Sequence, residues 1–230
     1  MPSVSFTTLG CRLNQAESDL MAEDLAAAGV VQASSGADPD IVVINTCTVT
    51  REATKASRMA IRRAVRNHPE AKVVVAGCYA VSNRDEIEAI EGVDAILSNN
   101  DKERFTEVLG RDPGTRPLLQ LGMRPQRDHT GAPARVRANL KAQTGCDEFC
   151  TFCIIPMTRG PLRSMDEDAL IEEASARVRG GARELVLTGV HLGKYRVDQG
   201  GDERDLIRLL ERLLDIPGVL RLRLSSILSQ

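Results

Sequence analysis

The sequence predicts an α/β protein with two successive domains, the first of them an open, doubly wound parallel sheet. Two patterns indicate this fold class. Short apolar runs alternate with helical patterns over the first 110 residues, and the alternation begins again near residue 135, after a stretch rich in proline and glycine. Apolar strands that alternate with helices are typical of a parallel sheet covered on both faces.

The first domain is predicted to contain four strands, each followed by a helix. Each strand is a short apolar run, and the helices end at a glycine or shortly before a proline. The predicted strands are 4–9, 40–45, 72–77 and 94–98, and the predicted helices are 15–28, 51–67, 83–91 and 101–109.

Residues 111–134 predict a linker between a first domain, residues 1–110, and a second, residues 135–230. Four prolines and three glycines interrupt any regular period in this stretch. Between residues 110 and 141, seven basic residues outnumber two acidic ones. A solvated linker and a contact with an RNA backbone are both consistent with this charge.

The second domain begins another strand–helix alternation. Because no helix follows its last strand, we expect the chain to be truncated. The predicted strands are 135–142, 184–188 and 220–225, and the predicted helices are 165–179 and 202–214.

Composition excludes several classes of protein. No apolar run approaches the length of a membrane span, and no signal peptide is recognisable at the start, so we expect a cytoplasmic protein without a membrane partner. The net charge of −2 excludes a uniformly basic nucleic-acid binder. Aromatic residues make up only 3% and tryptophan is missing, which disfavours an extended base-stacking platform.

Three of the six cysteines lie close together, and we call them the loop cysteines: Cys146, Cys150 and Cys153. Three thiolates at this spacing can hold an iron–sulfur cluster and leave its fourth iron open for a small molecule. Structural zinc takes four ligands, and the closest histidine is the distant His129, so zinc is disfavoured. Plain buried cysteines are the remaining alternative.

The other three cysteines are far apart in the chain, and we call them the sheet-edge cysteines: Cys11, Cys47 and Cys78. Each one follows the end of a predicted parallel strand. Ligands of open α/β sheets bind beyond the carboxyl ends of the strands, so these thiols can converge there. Gly10 and Gly77 would allow the backbone to pack closely beside a cluster. Three small buried side chains at strand ends are the alternative.

Several segments resemble the methylthiotransferase family of radical S-adenosylmethionine enzymes, over nearly the whole chain. The segments that match its N-terminal domain are TLGCRLNQAES at 8–18, NTCTVT at 45–50 and AGC at 76–78. The segments that match its radical S-adenosylmethionine domain are GCDEFCTFCIIP at 145–156, RGPLRS at 159–164, LTGVHLG at 187–193 and RLRLSSI at 221–227.

The resemblance implies that the second domain is the first part of a radical-SAM partial (β/α) barrel. It also implies three cofactors: an auxiliary 4Fe–4S cluster on the sheet-edge cysteines, a radical-generating 4Fe–4S cluster on the loop cysteines, and S-adenosyl-L-methionine. Gly189 is expected in a turn near the amino group of S-adenosylmethionine, although a plain turn glycine is the alternative. Phe152 is expected to shield the cluster or to pack against adenine.

Members of this family modify tRNA or a ribosomal protein. Residues 10–14 and 187–191 are most similar to the branch that converts N6-threonylcarbamoyladenosine next to the anticodon into its 2-methylthio derivative. The resemblance implies the tRNA anticodon stem-loop as a partner and an electron donor such as a flavodoxin or ferredoxin. The alternatives are action on isopentenyladenosine in tRNA or on a ribosomal-protein aspartate, a non-catalytic metal-bearing RNA-binding module, and a redox-sensing or electron-transfer protein.

A few other residues have weaker signals. Arg159 and Arg163 follow the loop cysteines and could meet the carboxylate of S-adenosylmethionine or an RNA phosphate, or lie solvated. His191 could touch substrate, but packing or surface exposure is the simpler interpretation. No side chain is singled out as catalytic. As a truncated chain, the protein is expected to bind its clusters and to turn over tRNA poorly.

Overall fold

A computed structural model describes residues 1–34, 36–111 and 136–227 of the chain. The chain divides into two compact units, Met1–Arg127 and Asp128–Gln230. The predicted linker lies outside the described residues except for Arg111, and the domain boundaries at 110 and 135 stay predictions.

The first unit is a parallel sheet with helices on both faces, as predicted, but it has five strands where four were predicted, because the two-residue strand Val31–Gln32 is too short to show a period in the sequence. Its strands are β1 (Ser3–Thr8), β2 (Val31–Gln32), β3 (Ile41–Thr46), β4 (Lys72–Gly77) and β5 (Ala95–Leu97). Its helices are α1 (Arg12–Ala27), α2 (Arg51–Asn67), α3 (Cys78–Ser82), α4 (Arg84–Glu88) and α5 (Phe105–Leu109). The strand order is β2-β1-β3-β4-β5.

The central strand β3 is buried on both sides, which explains its unbroken apolar sequence. Ile41 and Val43 join one core with residues of α1 and α5. Val42 and Ile44 join a second core with residues of α2, α3 and α4. The helices therefore cover the two faces of the sheet. Ligands of such sheets bind at the carboxyl ends of the strands, so we expect a site there.

The structure corrects two predicted elements of this unit. The helix predicted at 83–91 is the shorter α4, and α3, which was not predicted, precedes it and is separated from it by Asn83 in a non-helical conformation. Each has five residues, too few to show a helical period in the sequence. Helix α1 begins at Arg12 rather than at 15, because Cys11 already takes the extended N-cap conformation.

The second unit contains a three-stranded parallel sheet and a two-stranded antiparallel ladder. Its strands are β6 (Arg137–Lys141), β7 (Gln143–Thr144), β8 (Arg163–Ser164), β9 (Glu184–Thr188) and β10 (Arg221–Leu224). Its helices are α6 (Ile155–Arg159), α7 (Glu167–Arg179) and α8 (Glu203–Leu214). The parallel order is β10-β9-β6, and β7 pairs with β8.

The three predicted strands and two predicted helices of this unit are present, whereas β7, β8 and α6 were not predicted. Buried residues of β6, β9, α7 and α8 form one apolar core. Among the described residues of both units, no helix is long and apolar enough to cross a membrane.

Candidate functional site

The sheet-edge cysteines follow three neighbouring strands of the first unit. Cys11 caps α1 after β1, Cys47 follows β3, and Cys78 opens α3 after β4. The ends of these strands are paired, with Thr8 opposite Asn45 and Thr46 opposite Gly77. The topology therefore brings the three thiols to one edge of the sheet, while their role as cluster ligands stays a prediction.

Two buried asparagines fix this edge. The Asn14 amide donates hydrogen bonds to the carbonyl oxygens of Leu9 (2.8 Å) and Thr46 (2.9 Å), so it ties the ends of β1 and β3 to α1. The Asn45 amide donates to the Asn14 carbonyl oxygen (2.8 Å) and to Ser18 Oγ (3.0 Å). The buried Oδ1 atom of Asn45 has no hydrogen-bond partner in the described part of the chain. Neutral amides thus hold the edge in place.

Two glycines make the close packing of this edge possible. A Cβ atom added at Gly10 would lie 2.6 Å from both Cβ and Sγ of Cys47. A Cβ atom added at Gly77 would lie 2.3 Å from the carbonyl oxygen of Thr46. Both glycines also have positive φ angles, +90° and +102°, which L-residues rarely adopt. The structure thus shows close packing of both glycines against neighbouring residues of the sheet edge, while their expected approach to a cluster stays a prediction.

The three thiols of this edge have different surroundings. Cys47 and Cys78 are buried and Cys11 is exposed. The Asn99 amide donates to Cys78 Sγ at 3.6 Å, and Ser57 Oγ both accepts from the Cys47 N–H (3.0 Å) and donates to its carbonyl oxygen (2.7 Å). Amide donors of this kind stabilise thiolate ligands of iron–sulfur clusters. The donor set therefore fits the predicted cluster in chemistry.

The loop cysteines lie between β7 and α6 in the second unit. Cys146 is buried, Cys153 is half-buried and Cys150 is exposed. The backbone N–H of Glu148 donates to Cys146 Sγ at 3.4 Å, and the N–H of Cys146 donates to the carbonyl oxygen of Gly160 at 3.1 Å. The loop therefore folds back over itself and presents at least two sulfur atoms to solvent or to a bound group.

Gln143 braces this loop, and sequence reasoning missed it. Its buried side chain donates from Nε2 to the carbonyl oxygens of Thr144 (2.9 Å) and Gly145 (2.7 Å). Its Oε1 atom accepts from the backbone N–H groups of Val190 (2.7 Å) and His191 (2.9 Å). One amide therefore joins the start of the loop to the turn after β9. Its signal in the sequence is a polar residue where a strand enters the core.

Because Gly189 has no side chain, the side chain of Gln143 can pack directly against it. A Cβ atom at Gly189 would lie 2.8 Å from Gln143 Oε1 and 2.8 Å from Leu192 Cδ2. Glycine is therefore needed at this turn for close packing, and not for an unusual backbone angle. Its expected approach to S-adenosylmethionine stays a prediction.

Charged groups brace the rest of the loop. Asp147 Oδ1 accepts from the N–H of Leu162 at 3.0 Å. Lys194 forms an ion pair with Glu148, and this hydrogen bond lowers the pKa of the Glu148 carboxyl and raises the pKa of the Lys194 ammonium. The first contact ties the loop to the segment before β8, and the second ties it to the short helical turn that follows β9.

Four other predicted residues have clear positions. Arg159 is buried and donates to Thr144 Oγ1 at 3.2 Å, so the interpretation of this residue as a solvated charge is wrong. His191 is buried, and its Nδ1 atom has no hydrogen-bond partner among the described residues. Arg163 is half-buried in β8. The Phe152 side chain is 91% exposed, and its expected role beside a cluster or adenine stays a prediction.

Within the described residues, no three His, Cys, Asp or Glu side chains lie in position to hold a metal ion. The loop cysteines nevertheless match the expected cluster in donor type, since Cys146 Sγ accepts an N–H hydrogen bond and the other two cysteines are at least partly exposed.

Comparison with known proteins identifies relatives over nearly the whole chain. Residues 3–98 match the model of the uncharacterized protein family UPF0004. The chain is 39% identical over 235 residues to threonylcarbamoyladenosine tRNA methylthiotransferase MtaB of Bacillus subtilis, with 99% of this chain and 52% of the relative covered. It is 36% identical over 238 residues to the MtaB of Aquifex aeolicus, with 97% and 55% covered.

A third relative is named for a different modified nucleoside. The tRNA-2-methylthio-N(6)-dimethylallyladenosine synthase of Rhodopirellula baltica is 28% identical over 243 residues, with 96% of this chain and 51% of the relative covered. The chain thus spans about half the length of the curated relatives it matches.

Two solved structures share the fold. The radical S-adenosylmethionine methyltransferase TsrM from Kitasatospora setae, with cobalamin and a [4Fe-4S] cluster bound, matches with a TM-score of 0.52 at 14% identity, covering 95% of this chain and 54% of that chain. TsrM with tryptophan and the analogue aza-SAM matches with a TM-score of 0.54 at 13% identity, covering 95% and 52%. The predicted α/β fold class is confirmed.

Proposed function

We propose that this chain belongs to the methylthiotransferase family of radical S-adenosylmethionine enzymes and that it contributes to the methylthiolation of tRNA. The proposed substrate is N6-threonylcarbamoyladenosine next to the anticodon, and the product is its 2-methylthio derivative. Support for this substrate comes from the relatives named for it, which are 39% and 36% identical, whereas the relative named for dimethylallyladenosine is 28% identical.

The observation that carries the proposal is the braced loop of the second unit. Three thiols lie in one short segment, and Gln143 joins that segment to the glycine turn after β9 through four hydrogen bonds. A loop that is already folded can bind a cluster without a large loss of conformational entropy. A 4Fe–4S cluster at the loop cysteines would supply an open iron that binds S-adenosylmethionine and the electron for its reductive cleavage.

The residues of this chain hold and orient the reactants. In the proposal, the loop cysteines bind the first cluster, and the N–H of Glu148 stabilises the Cys146 thiolate. Gln143 fixes the distance between this loop and Gly189, where S-adenosylmethionine would approach the backbone. The buried Arg159 guanidinium holds Thr144 at the start of the same loop.

The sheet-edge cysteines would hold a second, auxiliary 4Fe–4S cluster. Support comes from the position of the three cysteines after the ends of neighbouring strands, from the Asn99 amide on Cys78, and from the close backbone packing that Gly10 and Gly77 allow there. Two clusters per chain, S-adenosylmethionine, and an external electron donor such as a flavodoxin or ferredoxin complete the proposed set of cofactors and partners.

The test has two stages. Residues 1–230 are reconstituted with iron and sulfide under anaerobic conditions, and the electron paramagnetic resonance spectrum of the dithionite-reduced protein is recorded with and without S-adenosylmethionine. We expect iron with little zinc and a change in the spectrum on addition of S-adenosylmethionine. Zinc without that change would establish a structural metal module instead, and reducible clusters without 5′-deoxyadenosine would establish an electron-transfer protein.

The second stage identifies the substrate. The reconstituted protein, S-adenosylmethionine and reductant are incubated with tRNA that carries either N6-threonylcarbamoyladenosine or N6-isopentenyladenosine, and the nucleosides are analysed by mass spectrometry. We expect the 2-methylthio derivative of the threonylcarbamoyl nucleoside to exceed that of the other nucleoside. The reverse preference would overturn the substrate assignment and leave the reaction class intact.

A further inference from the structure

Helix α2 carries a row of basic side chains that have no role in the proposed cofactor sites. The row, which we call the basic stripe, consists of Arg51, Lys55, Arg58, Arg62 and Arg66. Their spacings of four, three, four and four residues place them on one face of the helix. Arg58 is half-buried and the other four are exposed.

Most of this charge is not neutralised within the protein. Arg58 forms a salt bridge with Glu86 at 3.1 Å. The other four basic residues have no carboxylate within salt-bridge distance in the described part of the chain, and Glu52 is the only acidic residue in α2. The helix therefore presents an excess of positive charge to solvent.

This arrangement destabilises the helix that carries it. Like charges four residues apart cost about 0.2–0.5 kcal/mol per pair. Arg51 lies in the first turn, where the helix dipole disfavours a cation. The helix is stabilised instead by its Thr50 cap and by the packing of Ile61 and Ala64 in the core. A bound polyanion would offset the repulsion along the stripe.

The dimensions of the basic stripe suit a nucleic-acid backbone. At a rise of 1.5 Å per residue, residues 51 to 66 span about 22 Å. The stripe begins at Arg51, four residues after Cys47, so it leads away from the candidate site at the sheet edge. Thr7 and Met59 line a groove beside it, with Arg66 at the same groove.

The composition of the basic stripe favours RNA over an acidic protein. The centre of a protein interface is depleted of charged residues overall and combines arginine with aromatic and other apolar side chains. Here the five positions of the stripe are all cationic, and four of them are arginines, whose planar guanidinium groups bind phosphate in a bidentate way. We propose that the basic stripe of α2 binds the phosphate backbone of the RNA substrate. The identity of this RNA as tRNA depends on the proposed function.

The test measures the salt dependence of RNA binding. The variant Arg51→Gln, Lys55→Gln, Arg62→Gln, Arg66→Gln is compared with the parent by fluorescence anisotropy, with a labelled anticodon stem-loop RNA at several salt concentrations. Each lost phosphate contact lowers the slope of log K against log salt by about 0.7 for a single strand, so four lost contacts lower it by about 3. We expect affinity at low salt to fall more than tenfold.

A matched control separates the stripe from net charge. The variant Arg84→Gln, Arg104→Gln, Arg179→Gln, Arg204→Gln removes the same number of exposed positive charges elsewhere. We expect its slope to stay within about one unit of the parent's. Equal losses in the two variants, or no loss in the stripe variant, would overturn the proposal. So would unchanged RNA binding together with lost binding of an acidic flavodoxin.

Folding is checked independently. Because the substitutions remove like-charge repulsion, we expect the stripe variant to melt at the same temperature as the parent or a higher one. If it melts lower, the double variant Arg62→Gln, Arg66→Gln replaces it, with an expected slope change of about 1.4. The spectral response of the reduced cluster to S-adenosylmethionine, measured without RNA, tests the proposed function separately, so the two proposals can fail independently.

Discussion

The loop cysteines come from one short segment of the second unit, whereas the sheet-edge cysteines come from three separate segments of the first unit that the sheet brings together. The first group has its geometry fixed by local backbone turns and by side chains that reach the loop. The second group depends on strand order, since Cys11, Cys47 and Cys78 lie at one sheet edge only because β1, β3 and β4 are neighbours. A contiguous site is therefore sensitive to local changes, and a dispersed site is sensitive to the fold.

The bracing of the two groups differs in charge as well. Neutral amides of Asn14 and Asn45 hold the sheet edge. Carboxylates of Asp147 and Glu148 help to hold the loop. The predictions below test this contrast, beginning with the largest expected effect.

Removal of the loop cysteines should abolish the cleavage of S-adenosylmethionine. In the triple variant Cys146→Ala, Cys150→Ala, Cys153→Ala, the proposed radical-generating cluster has no ligands, so iron content should fall by about half, with the auxiliary cluster retained. The measurements are iron and sulfide quantitation and chromatographic detection of 5′-deoxyadenosine. Formation of 5′-deoxyadenosine by this variant would show that the radical site lies elsewhere.

Removal of the sheet-edge cysteines should have the complementary effect. In the triple variant Cys11→Ala, Cys47→Ala, Cys78→Ala, we expect 5′-deoxyadenosine to form still, but no 2-methylthio nucleoside, because the auxiliary cluster is the proposed site of sulfur transfer. Nucleoside mass spectrometry measures the second product. If the variant transfers sulfur at the parent's rate, the sheet edge has no part in the transfer.

The contrast between the two groups also explains what the sequence could predict. The spacing of Cys146, Cys150 and Cys153 predicts a cluster motif without knowledge of the fold, and their role as ligands stays a prediction. Convergence of the sheet-edge cysteines is a prediction that rests on the expected strand order and on the family resemblance, because Cys11, Cys47 and Cys78 lie too far apart in the sequence to form a local motif. The fold class was accessible because β3 and β4 are continuous apolar runs.

The structural features that the sequence did not predict depend on contacts between distant residues or on very short elements. Gln143 has no motif of its own, and its importance appears only when its amide meets the backbone of Val190 and His191. Strands β7 and β8 have two residues each, too short for any period. The burial of Arg159 likewise depends on its contact with Thr144, which no local pattern reveals.

Glycine substitutions compare the tolerance of the loop and of the sheet edge. In Gly145→Ala, the new Cβ would lie 1.8 Å from the carbonyl oxygen of Pro161, a backbone atom, so we expect a loss of about 3–4 kcal/mol in the free energy of unfolding. Gly200 also has a positive φ, +81°, but nothing lies within 4 Å of its added Cβ. Gly200→Ala should therefore cost only about 1 kcal/mol. Urea denaturation measures both.

The sheet edge should respond less to the same change. In Gly10→Ala, the new Cβ would meet the Cys47 side chain at 2.6 Å, and a side chain can shift where backbone cannot. We expect a loss of about 2–3 kcal/mol, with reduced iron at the auxiliary cluster. Gly36→Ala, at φ +84° and in open space, is the control. If Gly10→Ala and Gly36→Ala are equally stable, Cys47 does not pack as described.

Loss of the Gln143 hydrogen bonds should loosen the loop without removing a ligand. Gln143→Met keeps the side-chain volume but leaves two N–H groups and two carbonyl oxygens without this partner, which should destabilise the second unit by about 2–3 kcal/mol. The spectral response of the reduced cluster to S-adenosylmethionine should weaken. Gln143→Glu keeps the acceptor for Val190 and His191 and should retain more of that response. An equal response in the parent and in Gln143→Met would exclude a positioning role.

The smallest expected effect is a loss of stability of the second unit at low pH. Glu167, at the start of α7 beyond the loop, accepts hydrogen bonds from Arg208 (2.8 Å) and Arg212 (2.7 Å), which lower its pKa from 4.5 to about 2. Because the folded-state pKa is the lower one, this carboxylate stabilises the second unit above about pH 4.5 and loses its contribution as the pH falls toward 2. Both arginines are partly exposed, so we expect about 1–2 kcal/mol in total.

Glu167→Gln therefore separates the acid response of the second unit from that of the first. The variant should be less stable than the parent at pH 6 and nearly equal to it at pH 2, because protonation of Glu167 removes the same charge that the substitution removes. Circular dichroism during urea denaturation at each pH provides the measurement. The asparagines of the sheet edge do not titrate, so Asn45→Ala should lower stability by the same amount at both pH values. A pH-independent loss in Glu167→Gln would mean that this carboxylate acts through shape and hydrogen bonding, and that its charge does not give the second unit an acid response of its own.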